Sequence, residues 1–119
     1  KKVWYNKEKF SAWGGALTTA SNLVFYGTLD RWFKALDAQS GKELWKFQVG
    51  SGVIGNAFTY GYKGKQHVGV LSGIGGWAGV AMNLGLTTPT DALGAAGGYA
   101  ELVKYNAAPG GGALTVFSL

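Results

Sequence analysis

Two of the five tryptophans sit beside glycine pairs. Trp13 is followed by Gly14-Gly15, and Trp77 follows Gly75-Gly76, 64 residues further on. An indole offers a flat apolar face and one N–H donor. Adjacent glycines let the backbone approach a ligand closely. Together these residues suit one wall of a site for a flat ligand with polar edges. Groups that make or break bonds are harder to find. There is no cysteine, which excludes a thiol nucleophile, a Cys-based zinc site and a disulfide framework. The one histidine, His67, stands in a strand-like run with no carboxylate near it in sequence and reads as structural. Asp30 precedes Arg31 and reads as a turn residue bonding its own backbone. No Ser-His-Asp set and no metal-ligand spacing emerges. Gly73-x-Gly75-Gly76 lacks the lysine and the strand–helix context of a phosphate loop. The chemistry legible here is positioning of a bound group.

The charge balance narrows the partners. The chain has 119 residues and a net charge of +5, but its lysines and its single arginine are scattered rather than gathered into a stripe. That distribution fits a solvated surface with lysines guarding strand edges, and argues against a nucleic-acid module. A docking surface for an acidic partner or an anionic membrane is the alternative. Residues 66–90 contain no Asp, Glu, Lys or Arg, yet Gly69, Gly73, Gly75, Gly76, Gly79 and Gly85 interrupt them. So many glycines disfavour a lipid-facing helix, and the stretch reads as a buried strand followed by a loop. With 47% hydrophobic residues and 21 glycines without a period, the composition suits an all-β protein with many tight turns.

The elements that must carry the two tryptophans are short strands. Strand signals fall at Lys2–Tyr5, Leu23–Thr28, Trp32–Leu36, Glu43–Val49, Ala57–Tyr62, His67–Leu71 and Ala113–Leu119, with turns of three or four residues between several of them. An internal repeat selects among the all-β architectures. Lys1-Lys2-Val3-Trp4 matches Lys42-Glu43-Leu44-Trp45, and the two tryptophans are 41 residues apart. A period near 40–50 residues with four strands per unit is that of a propeller blade. The expected layout is about two blades of a β-propeller: residues 1–10 end a preceding blade, 11–49 form one blade, and 50–119 form a final blade with an insertion over 79–112. Short helices are expected in that insertion, one from Thr90 and one over Tyr99–Tyr105. The last unit shows only three strand signals, so its fourth strand is expected from elsewhere in a longer protein, as is any targeting segment. With edges left unpaired, these residues alone should aggregate or stay partly unfolded. Trp4 and Trp45 close the repeat units and should pack between blades, while Trp32 reads as packing within one.

The segments AWGGALTTASNLVFYGTLDRWFKALDAQSGKELWKF and GVIGNAFTY…GIGGWAG resemble the last two blades of PQQ-dependent methanol dehydrogenase large subunits. The likeness covers essentially the whole chain and is most specific in AWGG, FYGTLD and GGWAG; VLSGIGGWAG looks more like the lanthanide-dependent branch than the calcium-dependent one. ALDAQSGKELW resembles the family's tryptophan-docking repeat, in which the residues matching Ala35, Gly41 and Trp45 interlock adjacent blades. The resemblance implies an eight-bladed periplasmic quinoprotein that oxidises a primary alcohol with pyrroloquinoline quinone (PQQ) and a lanthanide or calcium ion, with a homodimer of the full-length subunit expected. Electrons would pass singly to a cytochrome c. Trp13 matches a tryptophan lining the quinone site, and Gly76 and Trp77 match a pair that contacts it. The family's metal ligands, catalytic aspartate, vicinal cysteines and the tryptophan under the quinone lie upstream, so no catalytic residue and no metal ligand carries over. The segment alone is expected to be inactive. Two alternatives remain: a non-enzymatic scaffold propeller with the same docking repeat, and a quinoprotein dehydrogenase for larger alcohols.

Overall fold

In a computed structural model of the chain, residues 1–80, 84–86 and 111–119 are described. Among these residues, seven strands make two antiparallel sheets. The first sheet has the order β1 (Leu17–Thr18), β2 (Leu23–Gly27), β3 (Trp32–Asp37) and β4 (Glu43–Gln48). The second has the order β5 (Phe58–Tyr62), β6 (Lys65–Ser72) and β7 (Ala113–Ser118). Consecutive strands are neighbours throughout, the meander expected of successive blades. The charge-free stretch begins in β6 and continues into a 3-10 turn over Gly76–Gly79, and no described helix is long and apolar enough to cross a membrane. The helices expected near Thr90 and over 99–105 lie outside the described residues.

Side-chain alternation explains how the sheets stack. On β2 and β3, Phe25, Phe33 and Ala35 point to one face and meet Val68 and Val70 of β6, with Val49 and Val53 from the connection between the sheets. Phe33 is fully buried and sits between Phe25 and Phe117, with ring centroids 5.9 and 5.6 Å away. Trp45 on β4 meets Phe117 edge-on at 5.0 Å, which fastens the outer strand of the first sheet to β7. These are the offset and edge-to-face contacts aromatic rings favour. At Gly27 the second sheet's connection comes so close that a Cβ would collide with Val53.

The turns obey their side chains. Asp37 accepts hydrogen bonds from the backbone N–H of Ser40 (2.7 Å) and of Gln39 (3.1 Å), and from the Ser40 hydroxyl (2.8 Å). The Ser40 backbone N–H, first among these, holds its carboxyl below the usual carboxylate range. The other turn corrects an expectation. Asp30 does lie in a tight turn, but Thr28 supplies the side-chain bond: its hydroxyl accepts from Trp32 N–H at 3.0 Å. Buried Thr28 also offers its carbonyl to Arg31 and Val53, so the turn doubles as a link to the next unit.

One further expectation fails, and one strand was not foreseen. Lys2–Tyr5 is not a strand, because it lies over the first sheet through side chains rather than through a backbone ladder. There the Trp4 indole N–H donates to the Ala38 carbonyl at 2.9 Å, and its ring lies on Gly41. A Cβ at Gly41, whose φ is +73°, would fall 2.6 Å from that ring. Residues 1–10 thus cap the blade that follows them, as the repeat suggested for Trp4. Leu17–Thr18, the other miss, is a strand of only two residues, too short for any periodic signal.

Candidate functional site

The antiparallel registers place both glycine-flanked tryptophans at one end of the two sheets. Leu17 pairs with Phe25, so the chain preceding β1, which carries Trp13, runs alongside the end of β2. Phe58 pairs with Gly69, so the chain preceding β5 runs alongside the end of β6, from which the Trp77 loop departs. Four segments therefore converge at this end: 10–15, the Thr28–Arg31 turn, 52–56 and 73–79.

A second, smaller core binds them. Leu29, Ile74 and Ala78 are buried against one another, with Phe10 and Ile54 packed on them. Each residue belongs to one of the converging segments. Phe10 lies three residues before Trp13, and Ala78 directly follows Trp77. Gly52 has no room for a side chain, since its Cβ would meet the Leu29 carbonyl and the Ile74 side chain. Gly73 N–H donates to the Gly52 carbonyl at 2.8 Å, which ties the start of the Trp77 loop to the inter-sheet connection. The tryptophan-bearing loops thus rest on a packed base rather than hanging free.

The segment around Trp13 is held from the neighbouring blade. Gly15 N–H donates to Asn56 Oδ1 across the two sheets. A Cβ on Gly14 would collide with the Gly55 carbonyl, so the glycine there serves a close backbone approach. Trp13 itself is 41% exposed. Gly76 and Trp77 are contiguous at the start of the 3-10 turn, where Gly76 has φ +54° and Trp77 is 76% exposed. A Cβ built on Gly75 or Gly76 meets nothing within 4 Å. Bare backbone therefore faces open space beside an open indole. A planar group with polar edges fits this surface: the Trp77 indole and backbone N–H groups can meet its heteroatoms, and among the described residues no side chain lies within 4 Å of a Cβ placed on Gly75 or Gly76. The structure thus places Trp13 and the Gly76-Trp77 pair on separate segments joined through one small core. Asn56 and the Leu29–Ile74–Ala78 base carry no motif, and neither was singled out from the sequence.

His67 lies elsewhere, on the outer face of the second sheet. It stacks on Tyr60 at 5.1 Å and meets Tyr62 edge-on at 6.4 Å. Among the described residues no three of His, Cys, Asp and Glu gather into a possible metal site.

Known proteins resemble the chain over its full length. The lanthanide-dependent methanol dehydrogenase of Methylorubrum extorquens is 61% identical over 119 residues, all of this chain and 20% of that protein. Subunit 1 of the methanol dehydrogenase [cytochrome c] of Methylobacterium organophilum is 48% identical over 116 residues, 98% of this chain and 18% of that one. The solved structure of a europium-containing methanol dehydrogenase superposes on the whole chain with a TM-score of 0.85 at 45% identity, covering 21% of that larger chain. The chain thus spans about a fifth of the length of these relatives. The family model for PQQ, described as the glucose/ethanol/alcohol dehydrogenase β-propeller domain, matches residues 2–68. Two stacked meander sheets, a tryptophan docked on the following blade and this match together place the chain in the PQQ β-propeller family of alcohol dehydrogenases.

Proposed function

We propose that this chain forms part of a periplasmic quinoprotein that oxidises methanol, or another primary alcohol, to the aldehyde. Its carrying observation is the pair of exposed tryptophans at one end of adjacent blades, with bare glycine backbone beside Trp77. When bound, PQQ with a lanthanide or calcium ion supplies the hydride acceptor and the Lewis acid that activates it. What this chain contributes is geometry. Trp13 would lend an indole edge held from the next blade, Gly76 would let backbone come close, and Trp77 would cover the group and limit water. The metal ligands and the base that accepts the alcohol proton belong to parts of the protein outside these residues. A cytochrome c as electron acceptor is supported by the names of three relatives, each a methanol dehydrogenase [cytochrome c] subunit 1. We read the full-length subunit as a homodimer.

Methanol is preferred over larger alcohols because the full-length match at 61% identity is to a methanol dehydrogenase. The rival reading, an enzyme for ethanol or larger alcohols, draws on the breadth of the family description. Purified full-length protein decides the matter through its absorption spectrum, its metal content and its dye-linked oxidation of methanol, ethanol and butanol. A quinone band, a stoichiometric lanthanide or calcium ion and the highest kcat/KM for methanol are expected. A stable protein without quinone or alcohol oxidation would leave a scaffold propeller as the reading. A preference for butanol would move the substrate to larger alcohols.

A further inference from the structure

We infer that Asn56 is a positioning residue for the quinone site: its side-chain carbonyl fixes the backbone on which Trp13 is mounted. The inference rests on the quinoprotein reading above and deepens it. Trp13 is followed by two glycines, and a Gly-Gly pair leaves the preceding side chain poorly defined, since each glycine has unusually wide conformational freedom. One of them is demanded by packing, because any side chain on Gly14 would strike the Gly55 carbonyl. The site must therefore recover from outside the order that the glycines give up. Asn56 does this by accepting the Gly15 N–H on Oδ1.

Position supports the role. Asn56 lies two residues before β5, on the blade that also carries Trp77, whereas Gly15 lies two residues before β1. The bond therefore crosses between blades at the end where the two tryptophans are presented. Ile54, two residues earlier, packs on the Leu29, Ile74 and Ala78 base that carries the Trp77 loop. One short segment, 54–56, thus touches the supports of both tryptophans. Fixing a binding group beforehand raises affinity by reducing the ordering that binding requires.

The test uses full-length apoenzyme and PQQ itself. Titration is followed by tryptophan fluorescence, the induced circular dichroism of the bound quinone is recorded, and melting temperature tracks the fold. Asn56→Ala is expected to weaken PQQ binding about tenfold, the effect of one lost orienting hydrogen bond. The induced band should shrink or shift while the protein still melts cooperatively. Wild-type affinity and an unchanged band in this variant would overturn the inference. Should Asn56→Ala fail to fold, Asn56→Gln decides, because it keeps the amide and moves the acceptor outward by one methylene. Weakened binding with an altered band then supports the role, and wild-type behaviour overturns it. Wild-type protein that takes up no PQQ at all would instead bring down the quinoprotein reading.

Discussion

The two sheets share a fold and differ in what covers them. The first, β1–β4, has its inner face on the second sheet and its outer face under residues 1–10. Among the described residues the second, β5–β7, packs on one face only. Its other face carries Phe58, Tyr60, Tyr62, Leu71, Leu114 and Val116, each more than 40% exposed. A monomer rarely leaves such a continuous apolar face in water. The contrast teaches that a blade is specified by its two neighbours as much as by its own strands. The outer face of the first sheet carries Tyr26, Lys34 and Glu43 and is covered by Trp4 and Glu8, whereas among the described residues the apolar outer face of the second finds no such cover. Even within itself the second sheet compensates locally. The Phe58 ring lies over Gly69 on the neighbouring strand, where a Cβ would collide with it.

The comparison is tested most severely at the shared inner face. Phe33→Ala removes the ring between Phe25 and Phe117 and opens a cavity at the junction of the sheets. A loss of about 4 kcal/mol is expected, within the range for buried aromatic truncations. Denaturant unfolding of the full-length protein measures it. A loss below about 1 kcal/mol would mean that the sheets do not depend on each other through this ring.

The next test sets two glycines with the same backbone against each other. Gly41 and Gly64 have φ of +73° and +74°. Around Gly64 there is open space, whereas the Trp4 ring covers Gly41. Gly64→Ala should cost only the left-handed strain of about 1 kcal/mol. Gly41→Ala must also displace the indole from its hydrogen bond with Ala38, for a total of about 3 kcal/mol. The excess, read from paired melting curves, is the worth of the cover over the first sheet. Equal losses would show that the Trp4 contact contributes nothing.

How far the sequence foretold this arrangement follows from the same contacts. Strands β2, β3 and β4 lie within a residue or two of where their aromatic and β-branched runs placed them. The DAQSG turn is legible because Asp37 and Gly41 announce it by type. The 41-residue repeat predicted that Trp4 packs between units, and its indole does lie on Gly41 of the sheet that follows. What escaped depends on partners distant in sequence. The Asn56 bond to Gly15 spans 41 residues and carries no motif. The base under the tryptophan loops draws single residues from four segments. A lone Leu29 in a turn gives no sign that it will be nearly fully buried. Lys2–Tyr5 misled because an apolar run can be consumed by side-chain docking as readily as by a ladder.

Glu8 offers a smaller test of the same cover. Its carboxylate receives Lys34 Nζ at 2.8 and 3.0 Å, and both side chains are less than a fifth exposed. Glu43 is a more distant partner of Lys34, at 3.7 Å. Glu8→Gln keeps one acceptor oxygen but removes the closer carboxylate charge, and a loss of about 2 kcal/mol is expected, reduced from a fully buried pair by the remaining solvent. The loss should persist in high salt, unlike that of the exposed Lys46–Glu43 pair. Disappearance of the effect in salt would show that the cap is fastened by packing alone.

The smallest effect is also the most specific, because it turns on one proton. Tyr26 donates to Glu8 and accepts from Asn6 Nδ2 at 2.8 Å. Burial first, then the hydrogen bond and charge of Glu8, push its phenol well above the ordinary tyrosine value. A group raised in the folded state favours folding below its unfolded value. That contribution fades as pH climbs from the unfolded value of about 10 toward the folded one, because the unfolded phenol ionises first. At pH 7, Tyr26→Phe should therefore be less stable than wild type by about 1 kcal/mol, the worth of its hydrogen bonds. Above pH 10 the wild type alone bears the cost of holding this phenol neutral, a cost that solvent around the partly exposed ring keeps below the full linkage slope. The difference should therefore shrink as pH rises above 10, while other titrations cancel between the two proteins. Paired unfolding curves from pH 7 to 11.5 test this directly. A difference that stays constant would mean that the N-terminal cover leaves Tyr26 as wet as an unfolded tyrosine, and that the first sheet's outer face is no better closed than the second's.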